Sequence, residues 1–365
     1  MSIENQIKDI EAELAKMKYN KATQFHFGKL RAKLAKLKND EQKRHSGGAR
    51  GLGYGLKKRG DATVVFVGYP SAGKSTLLNL LTNAESKVAA YEFTTLTVVP
   101  GVLEYDGARI QLWDVPGLVE AASAGRGRGK EVLSVIRVAD AIVMLLAPRA
   151  DVSLEEQYNI MLTELINAGI RPNQTRPDIA IEKREGGGIT IAAAVALKHL
   201  DRKTIIGVLH EFGIMNAEVT FREDPTLDRL IDALSPSRVY VPLLVIVNKL
   251  DLLPSGEQEI VQRFDATAIS ATEGTNINQL RDAIWNRLGL IRIFLKKEGQ
   301  EPDLKEPLIL KAPATVRTIC ETLHKDVVKN VEYARLWGPS AKFGGQKIGI
   351  DFKIKDKDII ELHIR

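Results

Sequence analysis

TVVFVGYPSAGKSTLLNLLT, residues 63–82, decides the fold. Its first five residues form an unbroken β-branched and aromatic run, the mark of a strand buried on both faces of a sheet. GYPSAGKS, residues 68–75, follows at once and opens a helix. It matches the phosphate-binding pattern G-x-x-x-x-G-K-[ST] in the strand–loop–helix context that the pattern requires. Gly68 and Gly73 let the backbone curl so that its N–H groups surround a β-phosphate. The candidate binding residues are therefore Gly68, Tyr69, Pro70, Ser71, Ala72, Gly73, Lys74, Ser75 and Thr76. Lys74 reaches the β- and γ-oxygens, a catalytic role, and Ser75 offers its hydroxyl to Mg2+. A tight turn before a helix would account for the glycines, but not for a lysine and a serine at the helix start.

Working outward, three further elements fall in the order a guanine-nucleotide site needs. DVPG, residues 114–117, ends the strand RIQLWDV. Asp114 is placed to hold Mg2+ through water, and the Gly117 N–H to sense the γ-phosphate. NKLD, residues 248–251, ends LLVIVN. The Asp251 carboxylate can accept from both N1 and N2 of guanine, a donor pair that adenine lacks. Asn248 holds the loop and the base edge, and the Lys249 stem covers the base. TAISA brings Ser270 and Ala271 to where a backbone N–H meets guanine O6. Between the phosphate loop and DVPG, YEFTTLTVVPG must supply a threonine to Mg2+ and the γ-phosphate, with Thr94 and Thr95 as candidates. Loss of that contact after hydrolysis is the switch. Many GTPases place a water-orienting glutamine after D-x-x-G, but here the position is Leu118. Unaided hydrolysis is therefore expected to be slow.

Around these motifs the strands RIQLWDV, AIVMLLA and LLVIVN give a mostly parallel sheet covered by helices, an α/β P-loop core. The last two are separated by far more chain than one crossover needs. Ser153–Ala168 supplies that helix. The rest is an inserted α+β domain containing GGGITIA, a helix over Asp201–Phe212, AEVTF and a helix over Leu227–Leu234. After Leu290, the strands IRIFLK and EPLILK, a helix over Val316–His324 and the closing KIGIDFKIKDKDIIELHIR suggest a ubiquitin-like β-grasp module with one helix on a small mixed sheet. At the other end, Ile3, Ile7, Ile10, Leu14 and Met17 form one apolar seam, and Phe27, Leu30, Leu34 and Leu37 a second. These predict a helical hairpin that turns at Asn20, with Thr23 capping the second helix and Lys29, Arg31, Lys33, Lys36 and Lys38 left solvated. The expected organisation is a basic hairpin over 1–45 and a glycine-rich basic linker over 46–60, then a GTPase domain in two segments, 61–172 and 240–290. The inserted domain, 173–239, divides those segments, and the β-grasp domain, 291–365, follows them. Glycine repeats in the linker and in GRGRG, 125–129, lack the preceding strand a dinucleotide fingerprint needs.

Composition narrows the setting. Of the chain's 365 residues, 44% are hydrophobic and 27% charged, enough for several cores and too few charges for wholesale disorder. A single cysteine, Cys320, excludes a disulfide framework and a cysteine zinc site. No run suits a membrane span or signal peptide, which predicts a cytoplasmic protein. Residues 1–60 hold 15 Lys and Arg against 6 Asp and Glu, a net +9, so the other 305 residues carry −3 of the chain's +6. Such a segment suits a polyanion, with rRNA the expected partner and Lys33, Lys36, Lys38, Lys57, Lys58 and Arg59 its candidate contacts.

These residues resemble the DRG family, the developmentally regulated GTP-binding proteins, within the Obg-related GTPases. The likeness runs nearly end to end. KATQFHFGKLRAKLAKLK resembles the family's helical region, and GDATVVFVGYPSAGKSTLLNLLT with YEFTTLTVVPGVLEYDGARIQLWDVPGL its core. GRGRGKEVLSVIRVAD is similar to its second switch, and GPSAKFGGQKIGIDFKIKDKDIIELHI to its C-terminal TGS domain. GGGITI through NAEVTFREDPTLDRLID and SRVYVPLLVIVNKLD resembles its inserted, ribosomal-protein-like domain. The resemblance implies that Thr95 is the magnesium ligand. It also implies GTP and GDP with Mg2+, a monomeric switch acting on ribosomes in translation, and a small regulatory protein as partner. It brings in K+ near the phosphates, although Ser71 stands where potassium users often carry asparagine, and Ala121 replaces an expected glycine. Two other functions compete: ribosome assembly of the Obg type, and a GTP-sensing RNA-binding adaptor with negligible turnover, suggested by Leu118.

Overall fold

The computed structural model describes residues 3–46, 60–82, 99–115 and 135–364. These divide into two compact units: the N-terminal segment with residues 169–240, and residues 56–168 with 241–365.

In the second unit, β1 (Ala62–Gly68) is buried along its whole length. It lies between β3 (Ala108–Asp114) and β4 (Ala141–Leu146), parallel to both. Burial on both faces is why the run of Val64, Val65, Phe66 and Val67 is continuous and not alternating. β10 (Leu243–Val247) and β11 (Thr267–Ala268) extend the sheet in parallel beyond β4. β2 (Val99–Tyr105) closes the other edge antiparallel to β3. The order is β11-β10-β4-β1-β3-β2. The parallel strands point their C-terminal ends one way, which brings Gly68, Asp114 and Asn248 to the same rim.

Three helices belonging to this sheet follow their sequence signals. α3 (Lys74–Leu81) buries Leu77, Leu78 and Leu81 in the same core as Phe66, Leu112 and Ile246. α4 (Leu154–Asn167) starts with a capping box, Ser153 Oγ accepting from the Glu156 N–H while the Glu156 carboxylate accepts from the Ser153 N–H. That cap contributes about 1 kcal/mol. After the short α7 (Gln258–Arg263) of the base-loop region, α8 (Ile277–Leu288) returns Leu280, Ile284 and Trp285 to the core.

The β-grasp domain begins directly after α8. β12 (Leu290–Lys296) pairs parallel with β18 (Asp358–Ile364) and antiparallel with β13 (Leu308–Lys311). β15 (Val331–Trp337) and β16 (Gln346–Ile348) complete five strands. β14 (Ala314–Thr315) and β17 (Lys353–Ile354) form a separate pair. Two helices, α9 (Val316–Leu323) and α10 (Lys325–Asn330), stand where one was expected, and β15 is an additional strand. Arg292 on β12 ties this domain to the GTPase core. It grips Asp356 through Nε at 3.0 Å and Nη2 at 2.6 Å, bonds Asp106 in the β2–β3 turn, and lies 5.0 Å from the Trp285 ring centroid.

In the first unit, α1 (Ile3–Lys16) and α2 (Gln24–Ser46) form the hairpin. β5 (Ile170–Pro172) pairs with β9 (Val239–Val241), gathering the two ends of the inserted segment. Between them β6 (Ile179–Lys183) runs antiparallel and β7 (Ile189–Ala193) parallel to β8 (Ala217–Phe221), covered by α5 (Arg202–Glu211) and α6 (Leu227–Ala233). β6 is a strand the sequence pattern did not reveal. Ala32 and Ala35 of α2 are buried in the same core as Val208, Val219 and Phe221. The hairpin thus shares its core with the inserted domain, far along the chain.

That packing corrects two sequence expectations. Lys33 and Lys36 are exposed, as expected, but the set is not simply solvated: Lys29 pairs with Glu211 at 3.2 Å, Lys36 also donates to the Glu211 carbonyl at 3.0 Å, Lys38 pairs with Glu11 at 2.7 Å, and Arg31 bonds Asp228. Lys36 therefore serves the last turn of α5, where free carbonyls favour a cation. Thr23 does not cap α2. Its hydroxyl accepts from the Asn20 N–H and donates to the Lys18 carbonyl, closing the turn. No helix among the described residues is long and apolar enough to cross a membrane.

Candidate functional site

The phosphate loop leaves β1 at Gly68 and enters α3 at Lys74. Two residues in it take left-handed backbone, Ser71 at φ 60° and Gly73 at φ 93°. Such alternation turns successive N–H groups toward a common centre, an anion-binding nest at a helix N-terminus. The Lys74 ammonium donates to the carbonyls of Gly68 at 3.1 Å and Tyr69 at 3.0 Å, spanning the loop. Ser75 Oγ donates to Asp114 Oδ2 at 2.7 Å. Asp114 is 8% exposed, and its other oxygen is buried without a hydrogen-bond partner among the described residues. A buried, partnerless carboxylate oxygen beside a serine hydroxyl is a hard oxygen set that fits Mg2+.

The base side is organised by Asn248, which is 2% exposed. Its Nδ2 donates to the Ala72 carbonyl at 2.9 Å, and its Oδ1 accepts from the Ala271 N–H at 3.0 Å. The two partners fix which end of the amide is which, because a carbonyl needs a donor and an N–H needs an acceptor. One side chain therefore joins the phosphate loop to the base loop. Gly73 is required by this contact: a Cβ there would lie 2.3 Å from Asn248 Nδ2. Lys249 takes left-handed backbone at φ 60° and turns the chain so that Asp251 faces outward. Ser270 Oγ donates to Asp251 Oδ1 at 2.7 Å, and accepts from the Glu273 N–H at 3.3 Å. The exposed carboxylate is thus held in place from one side.

Sequence reasoning missed Arg149, which follows β4. It donates from Nη1 to the Pro70 carbonyl at 3.0 Å and stands 5.6 Å from the Tyr69 ring centroid. Asp151 holds the other side of the guanidinium at 2.8 and 2.9 Å, and that bonding depresses the Asp151 carboxyl below its ordinary range. A carbonyl bonded outward fixes its peptide plane, and so turns the Ser71 N–H the opposite way, toward the loop interior. Gln157 does similar work one loop over. Its buried amide donates to the carbonyls of Ala147 at 2.9 Å and Val152 at 3.0 Å, bracing the segment that carries Arg149. A lone arginine three residues past a strand carries no motif that would have revealed this.

Gly68, Tyr69, Pro70, Ser71, Ala72, Gly73, Lys74, Ser75, Thr76, Asp114, Asn248, Lys249, Asp251, Ser270 and Ala271 all lie within the unit that holds this rim. Thr94, Thr95, Gly117, Leu118 and Ala121 lie outside the described residues, as do Lys57, Lys58 and Arg59. Lys33, Lys36 and Lys38 lie in the other unit.

The chain is similar in sequence to known proteins. Residues 63–183 match a family model described as a 50S ribosome-binding GTPase, 186–290 its C-terminal region, and 291–364 the TGS domain. The chain is 40% identical over 365 residues to developmentally-regulated GTP-binding protein 2 of Mus musculus, covering 99% of both chains. It belongs to the DRG family. Within that family it is also 42% identical to a Dictyostelium discoideum homologue, with 99% of each chain covered. An uncharacterized GTP-binding protein of Methanocaldococcus jannaschii shares 49% identity over all of this chain and 94% of its own length. The FeoB G domain from Methanococcus jannaschii superposes with a TM-score of 0.33 at 17% identity, over 62% of this chain and 97% of that one, and adds nothing to the assignment. The DRG-family GTPase core thus spans the phosphate loop, DVPG and NKLD, and its TGS domain is the β-grasp module.

Proposed function

We propose that this DRG-family chain is a Mg2+-dependent switch that binds GTP and GDP, hydrolyses GTP slowly by itself, and acts on ribosomes in translation. The observation that carries the nucleotide reading is Asn248, whose single amide links the Ala72 carbonyl to the Ala271 N–H. Phosphate and base loops so joined are one preorganised site, and Asp251, held by Ser270, gives it guanine selectivity. The Lys74 ammonium, now on two loop carbonyls, is the cation that meets the β- and γ-oxygens. Ser75 and Asp114 would hold Mg2+, with Thr95 completing the set. When bound, the ion neutralises charge that builds on the phosphates. The Gly117 N–H supplies the γ-phosphate contact.

Slow turnover follows from Leu118, whose side chain has no donor or acceptor for water. An activating partner, the ribosome or a small regulatory protein, makes up the deficit. Ribosome action is supported by the +9 charge of residues 1–60 and by the family model's own description. The setting we assign is cytoplasmic and monomeric. Leu118 equally supports a GTP-sensing RNA-binding adaptor with negligible turnover.

Single-turnover hydrolysis, with and without ribosomes, separates the two. The switch reading expects Mg2+-dependent release of phosphate that ribosomes accelerate. Absence of release under both conditions leaves the adaptor. K+ compared with Na+ in the same assay tests whether Ser71 supports a potassium site.

A further inference from the structure

The unit built on α1, α2 and the inserted domain carries a groove of about 490 Å3 along α2 and α5. Its floor is Phe25 and Gly207, and Lys29, Arg202, Lys203 and His210 line its sides. Arg202, Lys203 and His210 are exposed. Among the described residues, no carboxylate lines the groove. The acids at the two ends of α5 are occupied: Asp201 accepts from the Thr204 N–H as the helix N-cap, and Glu211 holds Lys29.

Two ammonium groups converge on one ring, Lys203 Nζ at 4.7 Å and Lys29 Nζ at 5.9 Å from the Phe25 centroid. The ring sits low because residue 207 has no side chain: a Cβ there would come within 2.6 Å of Phe25 Cε2. A larger residue would lift the ring and fill the groove. The Arg202 and Lys203 cations, exposed and with no carboxylate lining the groove among the described residues, select an anion. Lys203 and His210 stand two helical turns apart on α5, about 10 Å, longer than one phosphate. The fitting ligand is an extended polyanion with an apolar or planar part for the floor. Single-stranded nucleic acid has both, phosphates for the sides and a base for the ring.

We infer that this groove binds a stretch of unpaired RNA, its phosphates on Arg202, Lys203 and His210 and a base on Phe25, an inference that rests on the ribosome reading above. It moves the main contact away from Lys36 and Lys38, which are engaged within the protein, to side chains of the inserted domain.

The test uses the full chain and a short fluorescein-labelled oligoadenylate, titrated across KCl from about 50 to 200 mM. Arg202→Gln/Lys203→Gln is expected to weaken binding about tenfold, and to flatten the slope of log K against log salt by about 1.4, from about 0.7 per phosphate contact. Phe25→Leu is expected to weaken binding about fivefold with the slope unchanged, because it removes stacking and not charge. If Phe25→Leu does not fold, Phe25→Met, which keeps the volume and removes the stacking face, replaces it, with the same expected loss and an unchanged slope. If the wild-type chain binds no RNA at any salt, the ribosome reading loses its RNA contact and the groove assignment falls with it. If the wild-type chain binds but the double variant keeps both affinity and slope, the groove assignment alone is wrong. If polyglutamate of equal charge displaces the RNA as well as unlabelled RNA does, the groove is a protein-docking surface and the RNA assignment is overturned.

Discussion

Asn248→Ala removes the one side chain that joins the phosphate and base loops. The Ala72 carbonyl and the Ala271 N–H each lose a buried partner. Each loss costs about 1–1.5 kcal/mol where water can partly replace the amide, or about 2–3 kcal/mol together. At 1.4 kcal/mol per tenfold, GTP and GDP should bind about 30- to 150-fold more weakly. Asn248→Asp is informative beside it: the acceptor for Ala271 survives, while an oxygen now faces the Ala72 carbonyl, so the loss should be at least as large. Gly73→Ala reaches the same contact from the other side. Its Cβ falls 2.3 Å from Asn248 Nδ2, and the residue must also hold φ 93°. The strained backbone alone costs about 1–3 kcal/mol. Displacing the amide adds to that, but only while Asn248 is present. The double variant Gly73→Ala/Asn248→Ala should therefore lose less than the sum of the single losses. Fluorescent-GDP titration, with a thermal melt to check folding, measures all four proteins. Strict additivity, or an Asn248→Ala affinity within about threefold of wild type in a folded protein, would refute the reasoning.

Other outcomes follow from the same site and its surroundings. Asp251→Asn should weaken GTP binding by about 2–4 kcal/mol and admit xanthosine triphosphate, while Ser270 can still donate to the new amide; unchanged selectivity in a competition assay counts against the guanine assignment. Ser75→Ala should abolish the Mg2+ dependence of GTP affinity and most hydrolysis, while Leu118→Ala should leave much hydrolysis intact; equal losses would reverse these roles. Arg149→Ala should lower the single-turnover rate more than GDP affinity, with Arg149→Lys recovering some of it through one remaining bond to the Pro70 carbonyl; equal effects on both would make Arg149 a general structural residue. Burial pushes the Asp356 carboxyl up, but the Arg292 bonds outweigh it and hold the value below its ordinary 3.8. A depressed folded value means stability that is present above about pH 4 and lost as pH falls through the folded pKa. Asp356→Asn should therefore lower the melting temperature at neutral pH and blunt the acid loss; parallel acid profiles would remove this pair from the account.

The nucleotide site is legible in the sequence because its chemistry is local. A lysine and serine at a fixed distance from two glycines, and an aspartate three residues past a strand-end asparagine, need no tertiary information to be suspected. The α/β sheet is legible for a related reason: strands buried on both faces leave continuous apolar runs. What escapes is written in residues that carry weak signals. β15, VEYARLW, carries its two charges, Glu332 and Arg335, three residues apart, which breaks the period-two pattern that marks a strand. β6, IAIEK, is short and ends in two charged residues. The inner face of α2 is built largely from Gly28, Ala32 and Ala35, and only Phe27 beside them belongs to the apolar seam, yet it is the face that meets the inserted domain. The sequence points Asn248 at the base and not at the phosphate loop, because its partner Ala72 lies 176 residues away. Lys38 looks unpaired for the same reason, since only the folded chain shows Glu11 beside it.

The stitching of α2 to α5 also sets an order in time. The bond from Lys36 to Glu211 spans 175 residues. At about 5–20 residues per second, synthesis leaves the hairpin waiting roughly 10–35 s before the surface that covers it has been made. Throughout that interval its inner face is exposed on the nascent chain. Gly28, Ala32 and Ala35 keep the apolar area of that face largely to the rings of Phe25 and Phe27, and they let two helix backbones come close once α5 arrives. Had the same face been leucine, the stronger final grip would have come with a long window for mispairing.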